Sequence, residues 1–509
     1  MITLFVIFVT IIALYYYNTR TFKYWKKRGV KHDKPIVFFG NNIDGILLRK
    51  SKVQLTTELY KKYPNEKVVG FYRGTRPELI IRDPELVKRV LVTDFGYFFY
   101  RGFVPNRNVI EPILRNLFSA EGDLWKMLRV RMSPAFSSSK LKGMFPLIVE
   151  RALKLQSRIE EVISTGKSTD SRELMARYAT DFIGACGFGL DSDSLNEENS
   201  DFRKLGRKIY TPGPVNAIVA VLKDMFPELC KDLKFFSRLE AEAQTLALDI
   251  QKARNYEPIG RNDFVDMMLA IKKQGAIEIE SIEKTKPDGT SEVVSIQFDD
   301  DIFMAQLIVF FAAGFETSSA SSSMTLHYLA YHPEEQTKVH EDIDRVLNKY
   351  DNKLCYDALK EMTYLEMAFK EAMRLFPPLG YVSRQCSKNY VFEELGLILE
   401  KDINVMIPIE GLHNDPKYWD NPEEFRPQRF HPDNEKYIKD VYLPFGIGPR
   451  NCVGSRLGLI QAMTGLTAVL SKFRVEPASD SVYHPVINPR SEIAQGIVGG
   501  LPLMFYERN

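Results

Sequence analysis

Cys452 stands in the run Pro444-Phe445-Gly446-Ile447-Gly448-Pro449-Arg450-Asn451-Cys452-Val453-Gly454. Gly446, Gly448 and Pro449 make a tight, rigid turn with little side-chain bulk. An apolar, helix-like stretch follows from Leu457 to Leu470, so Cys452 sits where a loop becomes a helix. Free backbone N–H groups and the helix dipole at such a junction favour thiolate over thiol. A thiolate in a glycine-lined turn can approach a flat cofactor and bind a metal axially. The competing reading is a buried structural cysteine, the usual one for an isolated cysteine; the pattern around Cys452 tells against it.

Three further constellations carry chemistry. Glu316 and Thr317 lie in Ala313-Gly314-Phe315-Glu316-Thr317-Ser318, mid-way along an apolar stretch. A polar pair there needs a reason. One reason is structural: the Thr317 hydroxyl can bond back to the Ala313 carbonyl. The functional one is that Gly314 and a bent hydrogen-bond ladder open room for a small ligand and a water, since helix irregularities often mark functional sites. Trp125 and Arg129, at i and i+4, share a helix face and can both donate hydrogen bonds. Glu371 and Arg374, at i and i+3, also share a face, though most such pairs are solvated and worth little.

Phe445, Gly448, Cys452 and Gly454 meet the pattern F-x-x-G-x-x-x-C-x-G, and this strongly resembles the haem-binding loop of cytochrome P-450, the haem-thiolate monooxygenases. The resemblance runs over essentially the whole chain. The runs Phe38-Phe39-Gly40-Asn41 and Ala313 to Ser318 look most like insect microsomal members. It implies haem b, with Cys452 as the iron ligand and Phe445 and Gly446 in the haem loop. It places Trp125, Arg129, Arg450, Arg384 and Arg101 at the haem propionates. Glu316 and Thr317 match the family's acid–alcohol pair, which relays protons beside the haem. Glu371 and Arg374 match its E-x-x-R helix, with Arg429 in Phe425-Arg-Pro-Gln-Arg429-Phe430 as the third member of a buried structural triad; Gln428 stands where the family usually has Glu. Substrate-pocket walls are expected from 102–118, 205–225, Phe310 to Glu316, Leu379 to Val382 and 495–501, with Phe311, Phe315 and Val382 as individual candidates.

The elements that must position these residues are legible in outline. Asp299 to Tyr331 reads as one long helix of about 50 Å, opened by three aspartates and closed before Pro333. Being apolar nearly all round from Ile302 to Ala313, it should run through the interior. A second helix is expected from Met362 to Leu375, stopped by Pro377-Pro378. The stretch 120–275 is mostly helical in period. Residues 276–297 are polar and weakly patterned, a surface connection or hairpin, and the chain from about 475 reads as strands.

At the amino terminus, Ile2 to Tyr17 is uncharged and would make a helix of about 24 Å, slightly short of a ~30 Å hydrocarbon core. Arg20, Lys23, Lys26, Lys27, Arg28 and Lys31 follow and should stay cytoplasmic. No basic region precedes the apolar run and no small-x-small cleavage site follows it, so a membrane anchor is read at 1–19 and not a cleaved signal. A basic linker and hinge is assigned to 20–41, with Pro35 stiffening the exit, and a catalytic domain to 42–509.

The 509 residues alone would suggest about three domains. The resemblance implies one large, mainly α domain with a small β region behind the anchor. With 68 basic and 66 acidic residues the net charge is +2, which gives no global field for nucleic acid. Five widely spaced cysteines exclude a disulfide scaffold. No zinc spacing, G-x-G-x-x-G, Walker loop or G-x-S-x-G occurs, so electrons must come from another protein. The expected function is insertion of one oxygen atom of O2 into a hydrophobic small molecule. NADPH would supply electrons through a flavoprotein reductase, with cytochrome b5 as a further partner, at the endoplasmic reticulum membrane and on its cytosolic side. Lys126 and Arg131 are docking charges by analogy. The alternatives are a haem-thiolate isomerase or dehydratase acting without O2, a haem-binding sensor or carrier, and, ranked last, a membrane-anchored hydrolase.

Overall fold

Asp299 begins the element around which much of the chain packs. In the computed structural model, which describes residues 1–103, 110–190, 193–197, 200–210, 213–226, 229–491 and 493–508, its side chain accepts from the Ile302 amide at 2.8 Å and caps a 32-residue helix, Asp300–Tyr331. Asp300 and Asp301 sit in the first turn, where the helix dipole favours negative charge. Ile302 to Ile308 and Ser318 to Ala330 are buried. Four of the hydroxyls there find a carbonyl in their own helix: Ser319 to Glu316, Ser321 to Thr317, Ser323 to Ala320 and Thr325 to Ser321.

The small side chains also let neighbours come close. A Cβ on Gly314 would collide with Ile183 at the end of helix Ser171–Ile183. This corrects one expectation. The bare face of Gly314 is filled by Ile183 and does not open room for a small ligand. The central helix also runs as α-helix without a break from Asp300 to Tyr331, although the back-bond expected of Thr317 is present.

The main sheet has four strands in the spatial order Val68–Arg73, Arg76–Ile81, Asn404–Ile407, Val382–Gln385. The first and last pairs are antiparallel and the middle pair is parallel, with Leu79 opposite Val405 and Val405 opposite Arg384. Its apolar side chains form a second core with Trp25, Tyr72, Phe98 and Leu443. The larger core surrounds the central helix and takes in Met127, Phe182 and Leu466. Residues 276–297 form an antiparallel hairpin, Ala276–Thr285 with Ser291–Gln297.

Helix Ile2–Thr19 is long and apolar enough to cross a membrane and is almost wholly exposed; the central helix passes the same test of length and composition but is mostly buried. The segment assigned as a hinge is docked. Trp25 is fully buried and its indole N–H donates to the Phe71 carbonyl at 3.0 Å. His32 and Gly40 bridge to Gly70 and Arg73 of the first strand. The buried indole and these bridges seat Trp25, His32 and Gly40 of this basic segment on the sheet.

Helix Thr363–Leu375 carries Glu371 and Arg374, both fully buried and joined by two hydrogen bonds of 2.8 and 2.9 Å. Arg429 reaches the same carboxylate at 3.2 Å, and the Arg426 amide donates to it at 3.0 Å. Arg374 also donates to the carbonyls of His413 and Glu424. The network thereby pins the coil from 413 to 430. His413 in turn accepts from the Leu443 amide at 2.8 Å, one residue before Pro444. Gln428 donates to both Glu335 oxygens and to the Tyr364 hydroxyl; a glutamate there would face a carboxylate. Arg429 also pairs with Asp420 at 2.7 Å, so Glu371→Gln would leave the buried Arg374 guanidinium without a carboxylate. It is expected to cost about 3–5 kcal/mol, read as a lower denaturant midpoint, while Asp420→Asn at the exposed edge of the network should change that midpoint little.

Candidate active site

Two glycines shape the cysteine loop. Gly446 and Gly448 take φ of +66° and +76°, and a Cβ on Gly448 would collide with the Leu91 carbonyl. The loop folds back on itself, with the Cys452 amide donating to the Phe445 carbonyl at 2.9 Å. Helix Ser455–Lys472 starts three residues beyond Cys452, with Gly454 as its N-cap. Cys452 is accessible in its loop, yet ringed by protein. Burial pushes its thiol up, and the Gly454 amide and the Arg129 and Arg101 charges oppose this. A metal cation on the sulfur would hold it as thiolate, since a coordinating thiol is deprotonated outright.

Beside this loop lies a cluster of guanidiniums. Arg450 donates to Glu121 at 3.0 Å and to the Ala120 carbonyl at 2.9 Å, and its guanidinium sits 4.3 Å from the Trp125 ring centre. Arg101 donates to the Arg450 carbonyl at 3.3 Å, and the Arg101 and Gly102 amides both bond Glu121. Arg384, on the edge strand of the sheet, donates to the Ser383 carbonyl. The Nε atoms of Arg101, Arg384 and Arg450 are buried with no partner. Burial pushes Arg101 down to about 10 and Arg450 down to about 9, in each case against the pull of Glu121. Arg384 is pushed well below its ordinary range by burial and then by Arg101 and Arg450. Three cations thus share one carboxylate. Such a set fits an anionic ligand, and the two carboxylates of a haem have the matching charge and chemistry.

The other candidates are placed as follows. Trp125 and Arg129 lie on helix Gly122–Met132. Arg129 donates to the carbonyl and side chain of Asn451 at 2.9 and 2.6 Å, so it braces the cysteine loop from the side. Val382 is half-buried two residues before Arg384, on the same face of its strand. Phe445 packs against the larger core.

In the central helix, Ala313 is exposed, and Thr317 donates to its carbonyl at 2.7 Å. The next turns meet the cysteine-loop helix: a Cβ on Gly458 would stand 3.8 Å from Ser318 Oγ. Glu316 points elsewhere and is ion-paired with Arg172 of helix Ser171–Ile183. Arg172 also donates to the Gln495 carbonyl at 3.3 Å. The acid and the alcohol are adjacent in sequence, but each is committed to its own partner.

Phe311, Phe315 and Lys126 have these surroundings. Phe311 and Phe315 are buried in the core, Phe311 against Phe188 and Phe315 against Tyr210, where a Cβ on Gly206 would crowd the Phe315 ring. They fill the protein behind the helix and present no open surface. Lys126, taken as a docking charge, donates to the Glu280 carbonyl of the hairpin at 2.7 Å. Parts of two expected pocket walls, 104–109 and 211–212, lie outside the described residues. Residues that sequence reasoning missed are Glu121, Arg172 and Gln495. Only Glu121 had a signal, an acid one helical turn before Trp125.

Comparison with known proteins agrees with this geometry. The family model described as Cytochrome P450 matches residues 31–498. The chain is 36% identical to Cytochrome P450 6B6 of Helicoverpa armigera, over 97% of this chain and 95% of that protein. It is 36% identical to Cytochrome P450 6k1 of Blattella germanica, over 97% and 95%, and 34% identical to Cytochrome P450 6a2 of Drosophila melanogaster, over 96% of each. A cysteine loop beside a cage of unbalanced arginines, in a chain matched along nearly its whole length, means that this protein belongs to the cytochrome P450 family and is a haem-thiolate monooxygenase, an oxidoreductase.

Proposed function

We propose that the protein inserts one oxygen atom of O2 into a hydrophobic small molecule, a xenobiotic, plant compound, insecticide or endogenous hormone or lipid. Electrons come from NADPH through a flavoprotein reductase, with cytochrome b5 as a second donor. The exposed apolar helix Ile2–Thr19, followed by the basic residues from Arg20 to Lys31, supports anchorage in the endoplasmic reticulum membrane with the body on the cytosolic side. The observation that carries the reading is the buried arginine cluster, short of anions, next to an accessible cysteine.

In this reading the cofactor is haem b, which when bound supplies the chemistry of oxygen activation. The protein's residues hold and orient it. Cys452 Sγ would hold the iron and would donate electron density to it as thiolate. Arg101, Arg384 and Arg450 bind the carboxylates, with Trp125 stacked beneath Arg450. Arg129 positions the loop through Asn451. Gly446 and Gly448 keep the loop low enough for a flat ligand to approach.

Thr317 Oγ1, next to exposed Ala313, holds and passes the proton at the reacting face. Glu316 is the acid member of the relay and is turned towards Arg172. Val382 lines the wall near Arg384. Glu371, Arg374 and Arg429 touch no substrate; they hold the coil that leads into the loop.

Turnover of a mixed lipophilic panel by the reconstituted protein should require both NADPH and reductase; product formed without either would overturn the reading. Cys452→Ala should abolish the thiolate-type spectrum of the ferrous carbon monoxide complex, and an unchanged spectrum would remove Cys452 as the ligand. Thr317→Ala should lower product formation by about 10²-fold, the low end for a general acid, and raise peroxide released per NADPH consumed. Full coupling in that variant would reject the relay.

A further inference from the structure

Hairpin Ala276–Thr285/Ser291–Gln297 is clasped to the start of the Trp125 helix by a set of bonds that a surface connection does not need. The strand register shifts between Glu280 and Thr285, and such a bulge re-aims side chains. Ser281, buried at the bulge, accepts from the Glu283 and Lys284 amides at 3.0 and 2.8 Å. Its hydroxyl donates to Asp123 Oδ2 at 2.7 Å, and the Ile282 amide donates to Asp123 Oδ1 at 2.7 Å. In return the Asp123 amide, an N-terminal donor of the helix, bonds Glu283 Oε2 at 2.9 Å. The Tyr100 hydroxyl donates to the other Glu283 oxygen. Gly122, at φ +52°, allows this approach, since a Cβ there would strike the Glu283 carboxylate.

The clasp grips the residues on either side of the arginine cage. Tyr100 precedes Arg101, and Gly122 and Asp123 follow Glu121, the carboxylate that Arg450 and the Arg101 amide share. The hairpin therefore closes a ring: Glu283 to Tyr100 and Asp123, and Glu121 to Arg101 and Arg450. We propose that this hairpin is a strap that keeps Glu121 and the arginine cage in register, with Asp123, Ser281 and Glu283 as positioning residues that set how slowly the protein releases haem. The proposal rests on the reading that the cage binds the haem carboxylates.

The test is haem transfer from the holoprotein to excess apomyoglobin. Glu283 is exposed, so Glu283→Ala should fold. It is expected to release haem about tenfold faster than the parent, since both the Tyr100 and the Asp123 bonds to its carboxylate are lost, and Ser281→Ala is expected to be faster as well. Glu283→Gln, which keeps one of the two acceptors, should fall between the parent and Glu283→Ala. Melting of the apoprotein should not shift in Glu283→Ala, and its effect on haem release should vanish in an Arg450→Ala background. Unchanged transfer in Glu283→Ala, or an effect fully additive with Arg450→Ala, overturns the strap while leaving the cofactor reading intact. Failure of the parent protein to take up haem would instead overturn the cofactor reading itself.

Discussion

Arg384 and Arg450, buried, and Arg101, half-buried, gather around a single carboxylate, Glu121, and much of the architecture near the cysteine keeps them there. A buried guanidinium without a partner is costly, so the fold must hold each one by other means. Arg450 leans on the Trp125 ring and the Ala120 carbonyl, Arg384 is fixed on a sheet edge by its own strand, and Arg101 is gripped through its backbone. These contacts come from four separate stretches of chain. The residual positive charge is an affinity stored in the fold: an anionic ligand that enters recovers what burial withheld.

The cysteine loop is rigid for related reasons. Gly448 brings its backbone against the Leu91 carbonyl, and Arg129 holds Asn451 from the flank. Further back, the Glu371 network fixes the coil that delivers the chain to Pro444. The sulfur is thus positioned by a sequence of buried polar contacts. Each satisfies backbone or charge that would otherwise be stranded in the core.

The central helix reconciles two demands. Its length and apolar surface make it a core element, while Ala313, Glu316 and Thr317 interrupt that surface at mid-span. Thr317 satisfies its hydroxyl within the helix, and Glu316 is neutralised by Arg172 from a crossing helix. Gly314 contributes by admitting Ile183, which brings the crossing helix close enough for that ion pair.

Local pattern was enough for much of this. Helix lengths follow from periodicity and caps, as Asp299 and Pro333 show, and a glycine-rich turn ahead of a cysteine is visible because its residues are consecutive. The Glu371–Arg374 pair was visible for the same reason, lying three apart on one helix. Only the folded chain decided which side chains meet across long separations. Glu316 finds Arg172 from 144 residues away, and the stretch 276–297, featureless by pattern, clasps Asp123. It also decided the direction of side chains on a helix apolar all round, where Phe311 and Phe315 turn into the core and Ala313 outward. A one-dimensional pattern carries no record of such encounters, because they depend on how close two backbones come, and that distance is set by the packing of every element between them.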